Sequence, residues 1–314
     1  MSDPTPSGKS SRIWLLLPLV GLALGFLVAS SVWLVTRERA LTGISAYASM
    51  LRAQGYGVEY KDLVLDGFPF RLHLRANQIR IVTPSGWAFD TDRLEALSLT
   101  YGSDRWVIAL PAPVTVVRPR GGPLILKAQS LRASLSDLQT PVWKIGIDAK
   151  AVQILTPSGA AAFSLASADR VLVNTRKSPS VRGAAEAMVE IVNGRATPHT
   201  ALFEVLGEHR TTAALAVRMT ASEQFQGLGW SAAGRRWVRA RGKVIIDPTS
   251  LTGDDQGLTT PGGQFVFDRY GVATGALPLT LRTRSGDVKS ATFLMSPGQV
   301  RLGEVITAPE PRFF

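Results

Sequence analysis

The sequence predicts a predominantly β protein of the α+β class, in which repeated hairpins form an elongated, curved antiparallel sheet. The sheet carries a helical insert and follows one transmembrane helix. Three observations support this prediction. The first is a run of 23 uncharged, mostly apolar residues near the N-terminus, and the second is an apolar-polar alternation of period two along the rest of the chain. The third is the content of 29 Gly and 19 Pro in 314 residues, which implies many turns between short strands.

The uncharged run occupies residues 13–35 and follows a short tail, residues 1–12. At about 1.5 Å per residue, a helix of this length crosses a hydrocarbon layer of roughly 30 Å. Trp14 and Trp33 lie near its two ends, where amphipathic rings prefer the headgroup level. The small residues at 29–31 leave a cleaved signal peptide as the alternative, although the apolar part of such a peptide is only about 7 to 15 residues long. We therefore predict a retained membrane-spanning helix.

The charges that flank this helix do not decide its orientation. Lys9 and Arg12 precede it, and Arg37 and Arg39 follow it, so the bias that keeps positive charge in the cytoplasm nearly cancels. The simpler arrangement keeps the short tail inside and translocates the long domain.

Residues 36–56 are predicted to continue the helix as a juxtamembrane segment. Apolar residues recur there at spacings of three and four, which favours a helix, and Gly55 marks its end. The apolar positions are Leu41, Ile44, Ala48 and Leu51. We expect this segment to be a stalk that packs on the domain.

Residues 57–177 have the pattern of an antiparallel sheet. Over residues 70–76, apolar residues alternate with Arg71, His73 and Arg75, as in a half-buried strand. Pro69 removes one backbone donor, so we expect this segment to start a strand or to lie at an edge. The same alternation recurs at Leu97/Leu99/Tyr101, Trp106/Ile108/Leu110, Trp143/Ile145/Ile147 and Val152/Ile154.

An internal repeat strengthens the prediction of a sheet. Residues 79–86, IRIVTPSG, match residues 152–159, VQILTPSG, at an offset of 73. A degenerate third copy, VVRPRGG, lies between them at 116–122. Each copy is typical of a strand, a Pro-Gly turn and a second strand, and such hairpins stacked edge to edge form a curved sheet. The alternative is that Thr-Pro-Ser-Gly is a good turn sequence used twice.

Residues 178–210 are predicted to be a helical insert, before a C-terminal β region at 211–314. A second short helix of the insert is expected to have Thr197 as N-cap, Pro198 at its first position and Gly207 after its end. The apolar residues of the first helix, which share one stripe, are Val181, Ala184, Ala185, Met188 and Val192.

Composition excludes several kinds of chemistry. The chain has no cysteine, which rules out disulfides, thiol catalysis and Cys-ligated zinc. The three histidines, His73, His199 and His209, are too far apart in sequence for a metal-binding motif. There is no Gly-x-Ser-x-Gly nucleophile motif. We therefore predict no enzyme activity, no catalytic or metal-binding residues and no cofactor.

The net charge of +11 favours an anionic partner, either a lipid surface or a nucleic acid. We predict no nucleic-acid partner, because the basic residues are spread along the chain and no aromatic stacking signature occurs. One basic row is a candidate for contact with lipid phosphates, and its alternative is a solvent-exposed row that prevents edge pairing. If this segment is a strand, one side of it carries Arg235, Arg239, Arg241 and Lys243.

The segment GYGVEYKDLVLDGFPFRLHL, which follows the apolar helix, resembles the DUF2125 family of alphaproteobacterial envelope proteins. The motif GFPFR at 67–71 carries the match, and the order of strand repeats, helical insert and C-terminal sheet extends it over most of residues 40–300. Such proteins are similar to the AsmA-like group, whose repeated strands form grooves that shield acyl chains. The resemblance implies a single-pass protein of the inner (cytoplasmic) membrane with its C-terminal domain in the periplasm, and it brings no catalytic residues.

These observations favour a membrane-anchored envelope protein that binds or shields membrane lipids on an apolar sheet face. A non-catalytic scaffold that binds other envelope proteins is the alternative. The two differ in whether the helical insert covers that face, because an open apolar face of about several hundred Å² marks a ligand or partner surface. The candidate lipid-facing residues are Phe70, Leu72, Leu74, Leu99, Ile108 and Ile145.

Overall fold

The structure is a computed structural model that describes residues 13–100, 102–138, 140, 142–225, 230–253, 256–283 and 288–309. Its first element, α1, is a helix of 41 residues, Ile13–Ala53. The helix ends as predicted, since Gly55 has a φ of 86°, a left-handed conformation that glycine adopts without strain. The apolar run and the predicted stalk therefore form one uninterrupted helix.

The described residues that follow α1 form nineteen strands and three short helical segments. The first ten strands are β1 Gly57–Asp66, β2 Arg71–Val82, β3 Ala88–Leu99, β4 Gly102–Ala109, β5 Val114–Arg118, β6 Gly122–Lys127, β7 Ser130–Ser136, β8 Lys144–Leu155, β9 Leu165–Lys177 and β10 Ala185–Ala196. The others are β11 Thr211–Met219, β12 Lys243–Ile246, β13 Thr249–Gly253, β14 Gln256–Thr260, β15 Gly263–Phe267, β16 Ala273–Thr283, β17 Val288–Ser296, β18 Gln299–Leu302 and β19 Val305–Pro309. The helical segments are α2 Ala201–Leu206, the 3-10 helix Ser222–Phe225 and α3 Trp230–Arg239.

The strands form one antiparallel sheet in which neighbours in sequence are neighbours in space. Four positions in the sheet each hold two short strands in line, namely β4 with β5, β6 with β7, β12 with β13 and β14 with β15. The strands thus occupy fifteen positions. Among the described residues β1 does not pair with β19, so the sheet is open. The predicted antiparallel sheet of hairpins behind one apolar helix is confirmed.

The sheet has two chemically different faces. Side chains alternate between faces along a strand, and directly paired residues share a face. Leu74 on β2 pairs with Leu65 on β1 and with Ala96 on β3. From Ala96 the direct pairing continues across six more strands through Ile108, Ala133, Ile147, Val173, Val189 and Leu215. We call this line of nine residues the apolar row and its side of the sheet the apolar face; the other side is the charged face.

The two sequence copies form equivalent hairpins. Strands β2 and β8 are both 12 residues long and their boundaries coincide at the offset of 73. Each contains one residue with positive φ, Gln78 at 47° and Ala151 at 49°, and each is followed by a turn glycine, Gly86 at 87° and Gly159 at 83°. The degenerate third copy forms the hairpin between β5 and β6. The similarity of the two long copies therefore extends beyond their turn sequence.

The predicted helical insert over 178–210 is wrong for most of its length. The segment Ala185–Ala196 is strand β10, which pairs with β9 on one side and β11 on the other. Its apolar residues also have period two, because Val189 and Ile191 lie on the apolar face while Glu186 and Glu190 lie on the charged face. Pairing on both sides decides in favour of the strand.

Only α2 within that insert is helical, and it begins later than predicted. Thr200, not Thr197, is its N-cap, and the Thr200 hydroxyl accepts a hydrogen bond from the N–H of Phe203 at 3.4 Å. Pro198 therefore precedes the helix. The predicted end is confirmed, since Gly207 is the C-cap with a φ of 63°.

The prediction of a strand that carries four basic residues is also wrong. Residues 230–239 form α3, because Ala233 and Trp237 lie one turn apart and are 1% and 2% exposed. The Trp237 ring packs 5.8 Å from that of Phe225 and 5.1 Å from that of Phe267. A buried stripe of helical spacing thus replaces the expected alternation.

Candidate functional site

The apolar row is covered at one end by α1. Trp33 forms a buried cluster with Leu65 and Leu72, and Leu72 has no exposed side-chain surface. Leu74 and Trp106 pack against this cluster from the sheet, and Ala40 and Leu41 pack against it from the helix. The end of the apolar run, at Trp33, and the start of the stalk segment, at Ala40 and Leu41, therefore cover the apolar face over β1, β2 and β4.

The centre of the apolar row is open by comparison. Ile147, Val173, Val189 and Leu215 are each half-buried, whereas Leu65, the member of the row beside Trp33, is 4% exposed. Among the described residues, the buried cluster of β8 and β9 (Ala149, Val152 and Ala168) includes no helix residue. A strand side chain that is flanked only by its sheet neighbours keeps one side exposed, so this stretch presents apolar surface to its surroundings.

A cluster of small buried residues lies next to this open stretch. Ala149, Val152 and Ala168 are 4%, 2% and 4% exposed, and Ala151 between the first two has a φ of 49°. The surrounding side chains are Leu126, Ala128, Leu131, Ile154, Leu165, Val171 and Ile191. These side chains of the sheet and its connections therefore cover the small residues.

The turn between β1 and β2 carries the GFPFR motif and attaches the sheet to α1. The Phe68 ring meets the rings of Phe26 and Trp33 edge to face, with centroid distances of 5.7 and 5.4 Å. The indole N–H of Trp33 donates to the backbone carbonyl of Arg71 at 2.9 Å. The motif thus connects the sheet to the helix.

Each residue of this turn has a steric or hydrogen-bonding role. Gly67 has a φ of 100°, and a Cβ there would lie 2.8 Å from the Arg71 carbonyl oxygen. The Arg71 N–H donates to the Gly67 carbonyl at 3.0 Å. Thr100 donates twice, from its hydroxyl to the Pro69 carbonyl at 3.2 Å and from its N–H to the Phe70 carbonyl at 3.1 Å. The expectation that Pro69 precedes a strand is confirmed, because β2 begins at Arg71.

Four of the six predicted lipid-facing residues lie on the apolar face. Leu74 and Ile108 belong to the apolar row. Leu72 and Ile145 lie on the same face, two residues along the strand from Leu74 and Ile147 respectively. Leu99 is misplaced, because it pairs directly with Arg71 on the charged face and is 47% exposed. Phe70 lies in the turn before β2 and is 60% exposed, so it lies on neither the apolar nor the charged face of the sheet.

The four predicted basic residues are not in one row. Arg235 and Arg239 are exposed and one turn apart on α3, whereas Arg241 is in the following turn with a φ of 58° and Lys243 is half-buried on β12. Sequence reasoning also missed the residues that matter most to the geometry, Trp33 and Phe68. Trp33 had been noted only for its position near the end of the apolar run.

The charged face is stabilised by ion pairs between strands. Arg170 on β9 donates two hydrogen bonds to Asp148 on β8, at 2.8 and 2.9 Å, and these bonds hold the pKa of Asp148 below its ordinary value. The hydroxyl of Ser178 donates to Glu186 at 2.7 Å and Arg176 donates to it at 3.1 Å, so the pKa of Glu186 is also lowered. Exposed pairs of this kind suit a face in contact with water.

Other concave features of the described residues are polar and open. A cleft of about 640 Å³ beside the bulge in β2 is lined by Arg52, Tyr60, Gln78 and Asp90, among others. A second cleft of about 270 Å³ lies beside Ala151, the residue of β8 with positive φ. No group of three or more His, Asp or Glu side chains that could hold a metal ion occurs among the described residues. The apolar face with its attached helix is therefore the candidate site.

A family model matches residues 33–306 of the chain. The chain belongs to the DUF2125 family. This family is described as uncharacterized proteins conserved in bacteria, and no curated protein and no solved structure matches the chain. The region shared with DUF2125 begins at Trp33, the residue through which α1 covers the sheet, and includes the whole GFPFR turn and the apolar row.

Proposed function

We propose that this DUF2125 protein is a membrane-anchored envelope protein that binds the acyl part of a membrane lipid along its apolar face. One observation carries the proposal: the open stretch of the apolar row repeats, at the offset of 73, the apolar positions of the stretch that α1 covers. Leu72, which is 0% exposed under the helix, corresponds at the offset of 73 to Ile145, which is half-buried and belongs to no buried cluster that includes a described helix residue. An acyl chain has the chemistry to occupy the equivalent place.

The energy available from this contact is sufficient for weak to moderate binding. Burial of apolar surface contributes about 25 cal/mol per Å², so a chain that covers about 300 Å² gains roughly 7 kcal/mol before the cost of association. Micromolar affinity then requires a surface that is already ordered. Hydrogen bonds between strands on both sides of β8 and β9 provide that order.

A location in a membrane is supported by α1. The helix has an apolar span, Pro18–Ala53 with a mean hydropathy of 2.1 in its best window, that is long and apolar enough to cross a membrane. We infer that it is the single span of an inner (cytoplasmic) membrane protein whose C-terminal domain lies in the periplasm. Retention of the helix is supported by the contact between Phe26 and Phe68, which cleavage near residues 29–31 would remove.

The orientation is tested with reporters fused at the C-terminus. A reporter that is active only in the cytoplasm is expected to be silent, and one that is active only outside the cytoplasm is expected to work. The reverse pattern would show that the domain lies in the cytoplasm.

The headgroup of the bound lipid is expected near α3. Residues Arg235 and Arg239 are exposed on this helix, which joins β11 to β12 at the same ends of the strands as the GFPFR turn. Near an anionic surface each basic residue contributes about 1 kcal/mol. Reversal of both charges should therefore weaken binding of anionic lipids more than that of neutral lipids.

Lipid binding is tested by photo-crosslinking at two adjacent positions of β9. Val173 pairs with Ile147 and Val189 on the apolar face, whereas Leu172 pairs with Asp148 and Glu190 on the charged face. Both side chains are aliphatic and half-buried, so each is a matched control for the other. The full-length protein, with a photoreactive amino acid at 173 or at 172, is irradiated in vesicles that contain a fluorescent phospholipid.

We expect lipid adducts at 173 in clear excess over 172, and co-purification of phospholipid with the unmodified chain. Equal labelling at the two positions, together with no lipid above the level of an unrelated membrane-anchored domain, would overturn the proposal.

The alternative of a scaffold is favoured by a different feature, the free edge of the sheet. In the described residues β19 pairs with β18 on one side only, and an open edge offers backbone groups to a strand of another protein. Capture of a partner that depends on residues 305–309, with no preference for 173 over 172 in lipid labelling, would support the scaffold instead.

A further inference from the structure

We propose that the GFPFR turn, residues 67–70, is inserted into the hydrocarbon of the membrane leaflet on the side of the β domain. The turn is then a membrane-embedded wedge beside α1, and the membrane lipid itself is its binding partner. This inference does not depend on lipid binding along the apolar row, because it concerns only where the turn lies.

The depth of the turn follows from its ring contacts. In the uncharged run 13–35, Phe26 lies two residues from the central position and Trp33 nine residues from it, which correspond to about 3 and about 14 Å along a helix. The Phe68 ring is 5.7 Å from Phe26 and 5.4 Å from Trp33, so it lies about midway between these depths. Since half of the hydrocarbon layer is about 15 Å thick, Phe68 lies inside it.

The helix has the features that this depth requires. Ser30 and Ser31 lie within the run, and their hydroxyls donate to the carbonyls of Phe26 and Leu27 at 2.7 and 2.8 Å. Such bonds satisfy hydroxyl groups in a medium without water. The first charge after the run, Arg37, bonds to the Leu65 carbonyl at 3.3 Å, at the level where the sheet leaves the membrane.

Three of the four backbone carbonyls of the turn have hydrogen-bond partners within the protein. Non-helical backbone at membrane depth is tolerated where its polar groups find partners within the protein. The carbonyls of Gly67, Pro69 and Phe70 each accept a hydrogen bond, from Arg71 or Thr100. Pro69 has no N–H to satisfy, and residues 67–70 carry no charged side chain.

Exposed apolar side chains surround the turn. Phe68 and Phe70 are 46% and 60% exposed, although a soluble domain rarely leaves adjacent aromatic rings in water. On the neighbouring strand ends, Leu97, Leu99 and Val107 are 43%, 47% and 40% exposed on the otherwise charged face. Insertion of this end into the leaflet removes these surfaces from water on both sides of the sheet.

The consequence concerns access to the apolar face. Leu72, Leu74 and Trp106 lie next to the turn, in the cluster with Trp33. The start of the apolar face therefore adjoins the membrane interior, with no water layer between them.

The depth is measured with single cysteines in the full-length chain, which has no native cysteine. Phe70→Cys and Trp87→Cys place an environment-sensitive dye at the two ends of β2, at aromatic turn residues that are 60% and 43% exposed. The labelled proteins are placed in bilayers of phosphatidylcholine and phosphatidylglycerol with nitroxide groups on the acyl chains or on the headgroups. A third variant, Leu99→Cys, keeps the turn sequence intact and reports on the strand paired with Arg71.

We expect the dye at 70 to emit as in an apolar medium and to be quenched several-fold more by acyl-chain nitroxides than the dye at 87. The dye at 99 is expected to be quenched mainly by headgroup nitroxides, and only the dye at 87 should be open to aqueous iodide. Equal iodide access at 70, 99 and 87 would overturn the proposal, whatever the outcome of the crosslinking at 173.

Discussion

The β2–β3 and β8–β9 hairpins have similar construction and different surroundings. Strands β2 and β8, their residues with positive φ and their turn glycines coincide at the offset of 73, whereas β3 and β9 have 12 and 13 residues. Phe70 and Trp143 precede the two strands at equivalent positions, and both are exposed, by 60% and 43%. Leu72, however, is completely buried under Trp33, whereas its equivalent Ile145 is half-buried.

The difference shows that coverage of the apolar face is not a property of the hairpin. Each copy presents the same row of apolar side chains, and among the described residues only the copy next to α1 has helix residues in its buried cluster. The same local sequence thus contributes to a protein core in one place and to a half-buried apolar surface in the other. The predictions below test this contrast, from the largest expected effect to the smallest.

The largest difference in the loss of unfolding free energy is expected between Leu72→Ala and Ile145→Ala. Removal of a fully buried leucine side chain costs about 2 to 5 kcal/mol, and Leu72 is 0% exposed. The same truncation at half-buried Ile145 should cost less than half as much. Thermal unfolding of the purified full-length variants provides the measurement. Equal losses at both positions would mean that a covering layer also exists over β8.

The next largest difference in unfolding free energy is expected between Gly67→Ala and Gly159→Ala. Both glycines have positive φ, 100° and 83°, so each substitution introduces backbone strain of about 1 kcal/mol or more. Only at Gly67 would the new Cβ also meet the Arg71 carbonyl, at 2.8 Å, whereas nothing lies within 4 Å at Gly159. We expect the Gly67 variant to lose clearly more free energy of unfolding, as measured in denaturant. A larger loss at Gly159 would argue against the close packing of the turn.

A smaller effect is expected from Trp33→Phe. The variant keeps an aromatic ring beside Phe68 but loses the hydrogen bond from the indole N–H to Arg71, which is worth about 1 kcal/mol. Trp87→Phe, at an exposed turn residue of the same hairpin, is the control and should leave stability unchanged. Hydrogen exchange at the start of β2 should increase in the first variant only.

The smallest effect concerns pH and the charged face of the second copy. Because Arg170 lowers the pKa of Asp148 in the folded state, ionised Asp148 stabilises the fold above the ordinary carboxyl pKa, and this contribution is lost as the pH falls through the lowered value. Asp148→Asn should therefore be slightly less stable than the native chain at neutral pH and equal to it in strong acid. Unfolding measured across this range, with Asp92→Asn on the exposed part of β3 as control, checks the prediction.

Period-two alternation identified the sheet and much of the apolar face. It placed Leu72, Leu74, Ile108 and Ile145 correctly, because their strands are apolar on one face only. It misplaced Leu99, because the end of β3 carries large leucines on the charged face beside the smaller Ala96 on the apolar face. A rule that selects the bulkiest residues cannot identify the buried face in such a strand.

The helix at 178–192 and the strand at 235–243 were predicted wrongly for related reasons. The residues of β10 fit both periods, and only its pairing with β9 and β11 distinguishes them. In the segment that forms α3, basic residues that alternate with apolar ones favoured a strand, although Ala233 and Trp237 have helical spacing. The open stretch was beyond prediction altogether, since it depends on where α1 lies in space.

The open meander also determines how the molecule can change in size. Each position adds about 4.8 Å to the width of a sheet, and an inserted hairpin contacts only its two neighbours, as in repeat proteins. A barrel of the same strands would have to alter its circumference and tilt with every insertion. Here the distance from the first hairpin to the far edge can grow or shrink in steps of one hairpin, about 10 Å, while the attachment of that hairpin to α1 stays the same. The width of the sheet can therefore change at the edge far from α1 without any change at the edge that α1 covers.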